Sequence, residues 1–245
     1  MLVLLRGYIC SILITIKEDI PMANTKKTID QTKPVSAFSL FSKSYYAVMK
    51  NLNLFIIVGG SGLVAQYVLG LQIKAPEVKT QYFTISPQDA GVFTVALIAS
   101  IVLYTMSIKL QLSVAQGKKP TMKALWEFAR DNTFKLIGLG IILSVVITVG
   151  LIAFIIPGLI FIRRYVLSPY VLADKKIGIL ESMKQSAELS KPYSGAIWGV
   201  IGVSILLSLV SVFGAVGTII SAILAVLYSV APALRYEELK KLSKT

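Results

Sequence analysis

The chain has 245 residues, of which 55% are hydrophobic and 15% are charged, and its mean hydropathy is +0.75. A soluble domain needs a more polar surface, so this composition predicts a helical membrane protein. The net charge of +13 would suit a nucleic-acid-binding protein, but the basic residues lie mostly between apolar runs, where they orient spans and contact anionic head groups. The sequence has no histidine and only one cysteine, Cys10. We therefore predict that the protein is not an enzyme and has no catalytic residues, no metal, no cofactor and no nucleic-acid partner.

Residues 1–21 contain an apolar run of about 16 positions that Arg6 interrupts, without the basic start and small-residue cleavage site of a signal peptide. A polar stretch follows Met22 and is typical of a disordered cytoplasmic start. Either Met22 is the true initiator, or residues 1–21 form a short hydrophobic anchor. We assign residues 1–35 to an N-terminal extension and disordered segment.

Residues 36–51 form an amphipathic pattern that predicts a helix lying at the membrane surface. Basic amphipathic stretches also occur around residues 115–132 and 174–193. Between and after these stretches lie six apolar runs, each close to the length of a membrane-spanning helix. The runs cover approximately residues 52–71, 92–114, 134–155, 157–173, 194–212 and 215–233.

Lysine and arginine counts predict the orientation of these runs. Residues 22–51 and 115–135 carry five basic residues each, and residues 174–193 and 234–245 carry four each. The intervening connections carry none, or two lysines balanced by carboxylates. The pattern predicts an inner (plasma) membrane protein with six spans over residues 36–236, both termini in the cytoplasm, and a cytoplasmic tail at 237–245.

An internal repeat emerges when the sequence is shifted against itself. A shift of 58 residues places Ala115 and Lys118 on Ala173 and Lys176, and a shift of 63 residues places Tyr165 and Pro169 on Tyr228 and Pro232. We therefore predict an all-α, polytopic bundle of three repeated hairpins, each preceded by an amphipathic interfacial helix.

The stretch from Pro157 to Val203, "PGLIFIRRYVLSPYVLADKKIGILESMKQSAELSKPYSGAIWGVIGV", has a recurring bacterial pattern. It resembles the multi-pass membrane domain fused to some glycerophosphoryl diester phosphodiesterases and related standalone membrane proteins. In that family the phosphodiesterase chemistry belongs to a separate soluble barrel with His and Glu residues, which this sequence lacks. The resemblance thus implies a membrane domain without that activity.

Arg163 and Arg164 lie inside an apolar run, which makes them candidates for function because intramembrane charge is costly. With Tyr165 they predict a site for an anion or a lipid phosphate. The alternative is structural: one arginine extends its head group to the interface and the other bonds carbonyls freed at the break near Pro157.

Proline and glycine positions predict helix breaks and close helix contacts. The predicted helix breaks are at Pro157, Gly158, Pro169 and Pro232. The predicted packing positions are Gly138, Gly140, Gly195 and Gly199. The sequence "GGSG" at residues 59–62 lacks the Lys-Ser/Thr ending of a phosphate loop and is interpreted as a packing or flexible point.

These features favour a non-catalytic module that organises the membrane, anchors a partner or handles lipid in the cell envelope. Its expected partners are anionic head groups at the cytoplasmic face, with a membrane-protein partner or a second copy as further options. The alternative is a transporter or channel for an anionic solute or lipid head group that uses Arg163 and Arg164.

Overall fold

The computed structural model describes residues 34–62, 64 and 87–243. The expectations for residues 1–33, including a start at Met22, and for the polar connection before residue 87 lie outside this part of the chain. All regular structure in the described part is helical, and no strand occurs within it. The helices are α1 (Ala37–Lys50), α2 (Leu52–Phe55), which continues into a π-helical turn (Ile56–Gly60), α3 (Pro87–Ala115), α4 (Met122–Ala153), α5 (Ile155–Tyr165), α6 (Ser168–Lys175), α7 (Ile179–Ser190), α8 (Ser194–Leu209), which continues into a 3₁₀ turn (Val210–Phe213), α9 (Gly214–Tyr228) and α10 (Ala231–Leu242).

Two tight reversals join long apolar helices into antiparallel pairs. Between α4 and α5 a single residue, Phe154, has extended backbone angles (φ −162°, ψ 144°). Between α8 and α9 the chain turns at Gly214, whose φ of +73° favours glycine because a side chain there would be strained. The first reversal lies three residues before the predicted break at Pro157, because proline is tolerated in the first turn of a helix and α5 can therefore begin upstream of it.

Small residues let the helices of each pair approach closely. A Cβ at Gly150 would lie 2.7 Å from the Phe161 ring and 3.1 Å from the Cα of Gly158. At the other pair, a Cβ at Gly217 would collide with the Val210 carbonyl. The Ser221 hydroxyl donates a hydrogen bond to the Leu207 carbonyl at 3.0 Å. Backbones in lipid pack tightly through such positions, so these contacts fix the pairs.

Four helical stretches of the described chain are long and apolar enough to cross a membrane, which makes this a membrane protein. They are Ala90–Ala115, Met122–Ala153, Ile155–Lys175 and Ser194–Leu242. The last one contains both α8 and α9, of 16 and 15 residues, which are about 24 and 22 Å long. The number of crossings therefore stays a prediction.

Exposure of apolar side chains differs between the two ends of the pairs. At the turns, Ile152, Phe154, Val212 and Phe213 are 74–82% exposed. At the opposite end, α6 is almost entirely buried and α10 buries Ala231, Ala233, Tyr236 and Leu239. The apolar surface near the turns is suited to lipid, whereas the opposite end is packed by protein. The tail predicted from residue 237 starts inside α10, which continues to Leu242.

The amphipathic segments differ from one another in how they are built. In α1 the buried face is Leu40, Ser44 and Val48, while Phe38 is 73% exposed. Residues 122–132 of the second segment are the first part of the 32-residue α4 and do not form a separate interfacial helix, because no glycine or proline follows them before Gly138. The third segment is a separate helix, α7, which packs against α5, α6 and α4.

Candidate functional site

Arg163 and Arg164 occupy the last turn of α5, but the structure separates their side chains. Arg164 and Tyr165 line a surface groove between α5 and α7. Arg163 does not line it, and its Nε is buried with no hydrogen-bond partner among the described residues. Consecutive residues on a helix point about 100° apart, so the two guanidinium groups lie in different surroundings.

The groove beside Arg164 has a volume of about 430 Å³ and combines charge with apolar walls. Its charged residues are Arg164, Lys184, Lys191 and Glu188, so three cationic side chains face one carboxylate. Its other large walls are Tyr165, Leu180 and Met183. We call these residues the Arg164 groove. A site of this kind fits a phosphate with an attached hydrocarbon chain, because guanidinium and ammonium groups bind phosphate oxygens and apolar walls accept the chain.

Serines on α7 hold this helix against the end of α5. The Ser186 and Ser190 hydroxyls both donate hydrogen bonds to the Arg164 carbonyl, at 2.7 Å and 3.0 Å. Carbonyls in the last turn of a helix lack an intrahelical partner, so these serines satisfy a group that the end of α5 leaves open. Ser182, Ser186 and Ser190 are fully buried. The four-residue spacing of these serines was an available signal of close packing that the sequence analysis missed.

A polar cluster joins the C-terminal ends of three helices, α3, α6 and α10. The Gln116 amide, just past α3, donates to Asp174 Oδ1 at 2.8 Å and to Glu237 Oε1 at 2.9 Å. Asp174 also accepts a hydrogen bond from the Tyr236 hydroxyl at 2.8 Å and forms an ion pair with Lys240. Gln116, Asp174 and Glu237 are related by the repeat shifts: 116 plus 58 is 174, and 174 plus 63 is 237.

Comparison with known proteins places the chain in a family. The pattern that defines UPF0259, described as an uncharacterised protein family, matches residues 72–234. The chain belongs to the UPF0259 family. No curated protein and no solved structure matches the chain. The comparisons show no link to glycerophosphoryl diester phosphodiesterases, so that resemblance stays a prediction.

The predicted break and packing positions of this UPF0259 chain fall into distinct groups. Pro169 and Pro232 lie in the first turns of α6 and α10, directly after interruptions in the helical path. Gly138 and Gly199 are close contacts, since a Cβ would lie 2.8 Å from Ile179 Cδ1 and 3.0 Å from Ala37 Cβ, respectively. In the part of the chain that the structure describes, a Cβ at Gly140 or at Gly195 would meet no atom within 4 Å.

The UPF0259 chain also has a buried arginine that was not among the predicted site residues, Arg235 on α10. Its residue exposure is 1%, it forms an ion pair with Glu238, and its Nη2 donates to the Val35 carbonyl at 2.9 Å. Glu238 also accepts a hydrogen bond from the Val35 amide at 2.7 Å. Both backbone groups of Val35 are thus bonded to α10. The i,i+3 spacing of Arg235 and Glu238 signals a pair on one helix face, but nothing in the sequence indicates Val35 as their shared partner.

In the described part of this UPF0259 protein, no group of three or more His, Cys, Asp or Glu side chains could hold a metal ion. The Arg164 groove is instead cationic and is suited to binding an anion. Phosphate contacts from Arg164 and two lysines require no nucleophile and no proton transfer.

Proposed function

We propose that this protein is a non-catalytic inner-membrane module that holds the phosphate of an anionic lipid in the Arg164 groove. The observation that carries the proposal is the composition of the groove, in which Arg164, Lys184 and Lys191 surround a space with apolar walls. A lipid phosphate accepts charge-assisted hydrogen bonds from these groups while its acyl chains follow Leu180 and Met183. Glu188 limits the net positive charge and favours a lipid with one phosphate at this position.

The orientation of the groove follows from a proposed topology of six spans in three hairpins. Helix α7 belongs to a basic connection that the lysine and arginine counts assign to the cytoplasm. The groove would then face the cytoplasmic leaflet, where anionic lipid attracts basic segments. The same topology makes the chain similar to the membrane domains found with glycerophosphoryl diester phosphodiesterases, without their chemistry.

Long-range hydrogen bonds support this topology by a parity argument. Two residues that are bonded outside the lipid lie on one side of the membrane, so the chain between them crosses an even number of times. The Gln116, Asp174 and Glu237 cluster supports two crossings by α4 and α5 and two by α8 and α9. The bond between Val35 and Arg235, close to Glu237, supports an even number before Gln116. The bonded residues divide the chain into three stretches, 35–116, 116–174 and 174–237. Six crossings is the smallest number that gives each of these stretches one hairpin.

A buried apolar cluster argues against the alternative of a channel between the three proposed hairpins. The repeat shifts relate Leu112, Tyr170 and Ala233, which are 0–6% exposed and belong to one apolar cluster. They also relate Ala115, Ala173 and Tyr236, which pack in or against the same cluster. Each set combines one large ring with smaller side chains, so their volumes compensate within the cluster. A path for an anionic solute through this part of the described bundle would have to displace them.

Retention of lipid by the purified protein tests the proposal. The full chain is purified in detergent beside Arg164→Ala, and co-purifying lipid is identified by native mass spectrometry. We expect phosphatidylglycerol on the native protein and a loss of about tenfold or more in the variant, because a charge-assisted contact is removed. The substitution leaves the bonds from Ser186 and Ser190 in place, since they go to the Arg164 backbone carbonyl.

Arg130→Ala is the matched control, because its side chain is 71% exposed and pairs only with its neighbour Asp131 among the described contacts. The proposal is wrong if the native protein, Arg164→Ala and Arg130→Ala all retain the same amount of anionic lipid. Competition with inorganic phosphate separates the two sources of phosphate. If inorganic phosphate displaces the lipid at millimolar concentration, the site binds a free anion instead.

A further inference from the structure

A second cavity, of about 290 Å³, lies among α2 with its π-helical turn, α3 and α9. Its polar lining consists of Ser100, Tyr104, Ser107, Gln111 and Ser229, and most of the remaining lining is apolar, including Phe55, Val58 and Leu103. We call it the hydroxyl cavity. No charged side chain is among the described residues that line it. Its volume is near the lower end of small-molecule pockets, roughly 300 Å³.

Several hydrogen-bonding groups of the hydroxyl cavity remain open. Ser107 and Ser229 donate to carbonyls of their own helices, each at 2.7 Å. In contrast, the Ser100 hydroxyl is buried without a partner in the described part of the chain. Gln111 uses its amide oxygen to accept from the Tyr170 hydroxyl at 2.7 Å, which leaves its amide hydrogens available. Buried polar groups in native proteins are generally bonded, so open ones beside a cavity indicate a bound molecule.

The backbone beside the cavity is also unusual. The π-helical turn Ile56–Gly60 contributes Val58 and Gly59 to the lining, and single π-helical turns occur frequently at functional sites. A Cβ at Gly59 or at Gly62 would meet no atom of the described residues within 4 Å. These glycines therefore do not serve close helix packing, which was one interpretation of "GGSG". They widen the cavity instead.

The hydroxyl cavity shares a wall with an apolar groove between α3 and the residues that follow the π-helical turn. This groove has a volume of about 580 Å³ and is lined by Ser61, Val64, Val92, Val95, Ala96 and Leu103, among others. Leu103 lines both spaces. A polar space next to a long apolar one matches the two parts of a lipid, its head group and its acyl chain.

We propose that the hydroxyl cavity binds the uncharged head of a neutral lipid of the diacylglycerol type, with an acyl chain in the adjoining groove. A charged head group would lose its water without finding a counter-ion, because the described lining has none. An ester carbonyl can accept from Gln111 or Tyr104, and a free hydroxyl can bond with Ser100. This site is separate from the Arg164 groove, and neither proposal depends on the other.

Binding of dioleoylglycerol to the full chain in detergent, titrated by native mass spectrometry, tests this site. Ala225→Leu places a larger side chain in the cavity lining, and Ala215→Leu is the matched control on α9 because Ala215 does not line the cavity. Both alanines are exposed, so leucine at either position displaces no packed neighbour. We expect Ala225→Leu to weaken binding by about tenfold or more while Ala215→Leu binds like the native protein.

Tyr104→Phe gives an independent result, because it keeps the ring and removes only the hydroxyl. We expect binding about fivefold weaker, as for the loss of one hydrogen bond. Arg164→Ala should bind dioleoylglycerol normally, which distinguishes this site from the Arg164 groove. Unchanged binding in both Ala225→Leu and Tyr104→Phe would overturn the proposal. A second outcome would also overturn the proposal. If the native protein binds dioleoylglycerol and dioleoylphosphatidylglycerol with equal affinity, and both variants weaken the binding of both lipids to the same extent, the cavity does not select an uncharged head.

Discussion

Arg164 and Arg235 present the same guanidinium group in two different settings. Arg235 is buried, with an ion pair to Glu238 and a hydrogen bond to the Val35 carbonyl. Arg164 has its backbone carbonyl fixed by two serines, but its side chain faces a groove that it shares with two lysines. The protein itself supplies the oxygen partners of Arg235. For Arg164 it fixes the backbone and supplies no side-chain oxygen partner among the described residues, and in our proposal a lipid phosphate is that partner.

The largest expected effect is on the Arg235 side of the comparison. Glu238→Ala removes the carboxylate from a buried guanidinium and also leaves the Val35 amide without its acceptor. We expect the free energy of unfolding to fall by about 3–5 kcal/mol, as for a broken buried ion pair. Thermal unfolding in detergent measures the loss. Glu127→Ala, an exposed substitution on α4, is the control; a loss as small as that of the control would show that Arg235 needs no protein partner.

A smaller loss is expected in the polar cluster where the ends of α3, α6 and α10 meet. Asp174→Ala removes the acceptor of Gln116, Tyr236 and Lys240 together. We expect a loss of about 2–3 kcal/mol in the free energy of unfolding, because the bonds to the carboxylate are charge-assisted and partly buried. Asp131→Ala, on an exposed pair, serves as the control. Similar stability of the two variants would mean that the cluster does not hold the three helices together.

The serines beside Arg164 should show a non-additive effect. Ser186→Ala leaves the Arg164 carbonyl bonded to Ser190, so we expect a loss of about 1 kcal/mol or less. In the double variant Ser186→Ala/Ser190→Ala the carbonyl loses both donors, and the loss should exceed the sum of the single ones. Unfolding measurements on all four proteins give the coupling. Strict additivity would show that the carbonyl finds another donor, and α7 would then be held by apolar contacts alone.

The smallest effect on stability is expected for Arg164→Ala itself. Because its side chain has no bond to the described protein, we expect a change within about 0.5 kcal/mol in lipid-free detergent. Added phosphatidylglycerol should raise the melting temperature of the native protein and not that of the variant, because a ligand stabilises the fold it binds. A large loss of stability without lipid would place Arg164 in the same class as Arg235.

Apolar composition and periodicity were sufficient to predict the membrane class and the all-helical fold. Pro169 and Pro232 lie in the first turns of α6 and α10, where a proline is tolerated because the amide hydrogen that it lacks would have no partner within the helix. The position of the reversal at Phe154 was not predictable, since Pro157 is compatible with the first turn of α5. Local rules thus predicted the helical class, but not that residues 122–132 continue into α4 or that α10 extends to Leu242.

The sites required information that is not local in sequence. Helical geometry predicts that Arg163 and Arg164 point in different directions, but it does not say which of the two side chains faces α7. The partners of Arg164 in the groove come from α7, some 20 residues later, and Val35 lies 200 residues from Arg235. The hydroxyl cavity combines three helices that are far apart along the chain. None of these pairings follows from periodicity, because periodicity gives the face of a helix and not its neighbour.

The attachment of Val35 to α10 brings the two ends of the described domain together. From Arg235 to Leu242 the helix extends about 10 Å, a distance that a linker of roughly five residues can span. The connection from α3 to α4 contains Lys119 and Pro120, which lie between the amides of Gly117 and Lys118 that end α3 and the Thr121 side chain that caps α4. A circular permutant that starts in this connection and joins residue 243 to residue 34 would therefore retain every helix and every pairing described, in a new chain order.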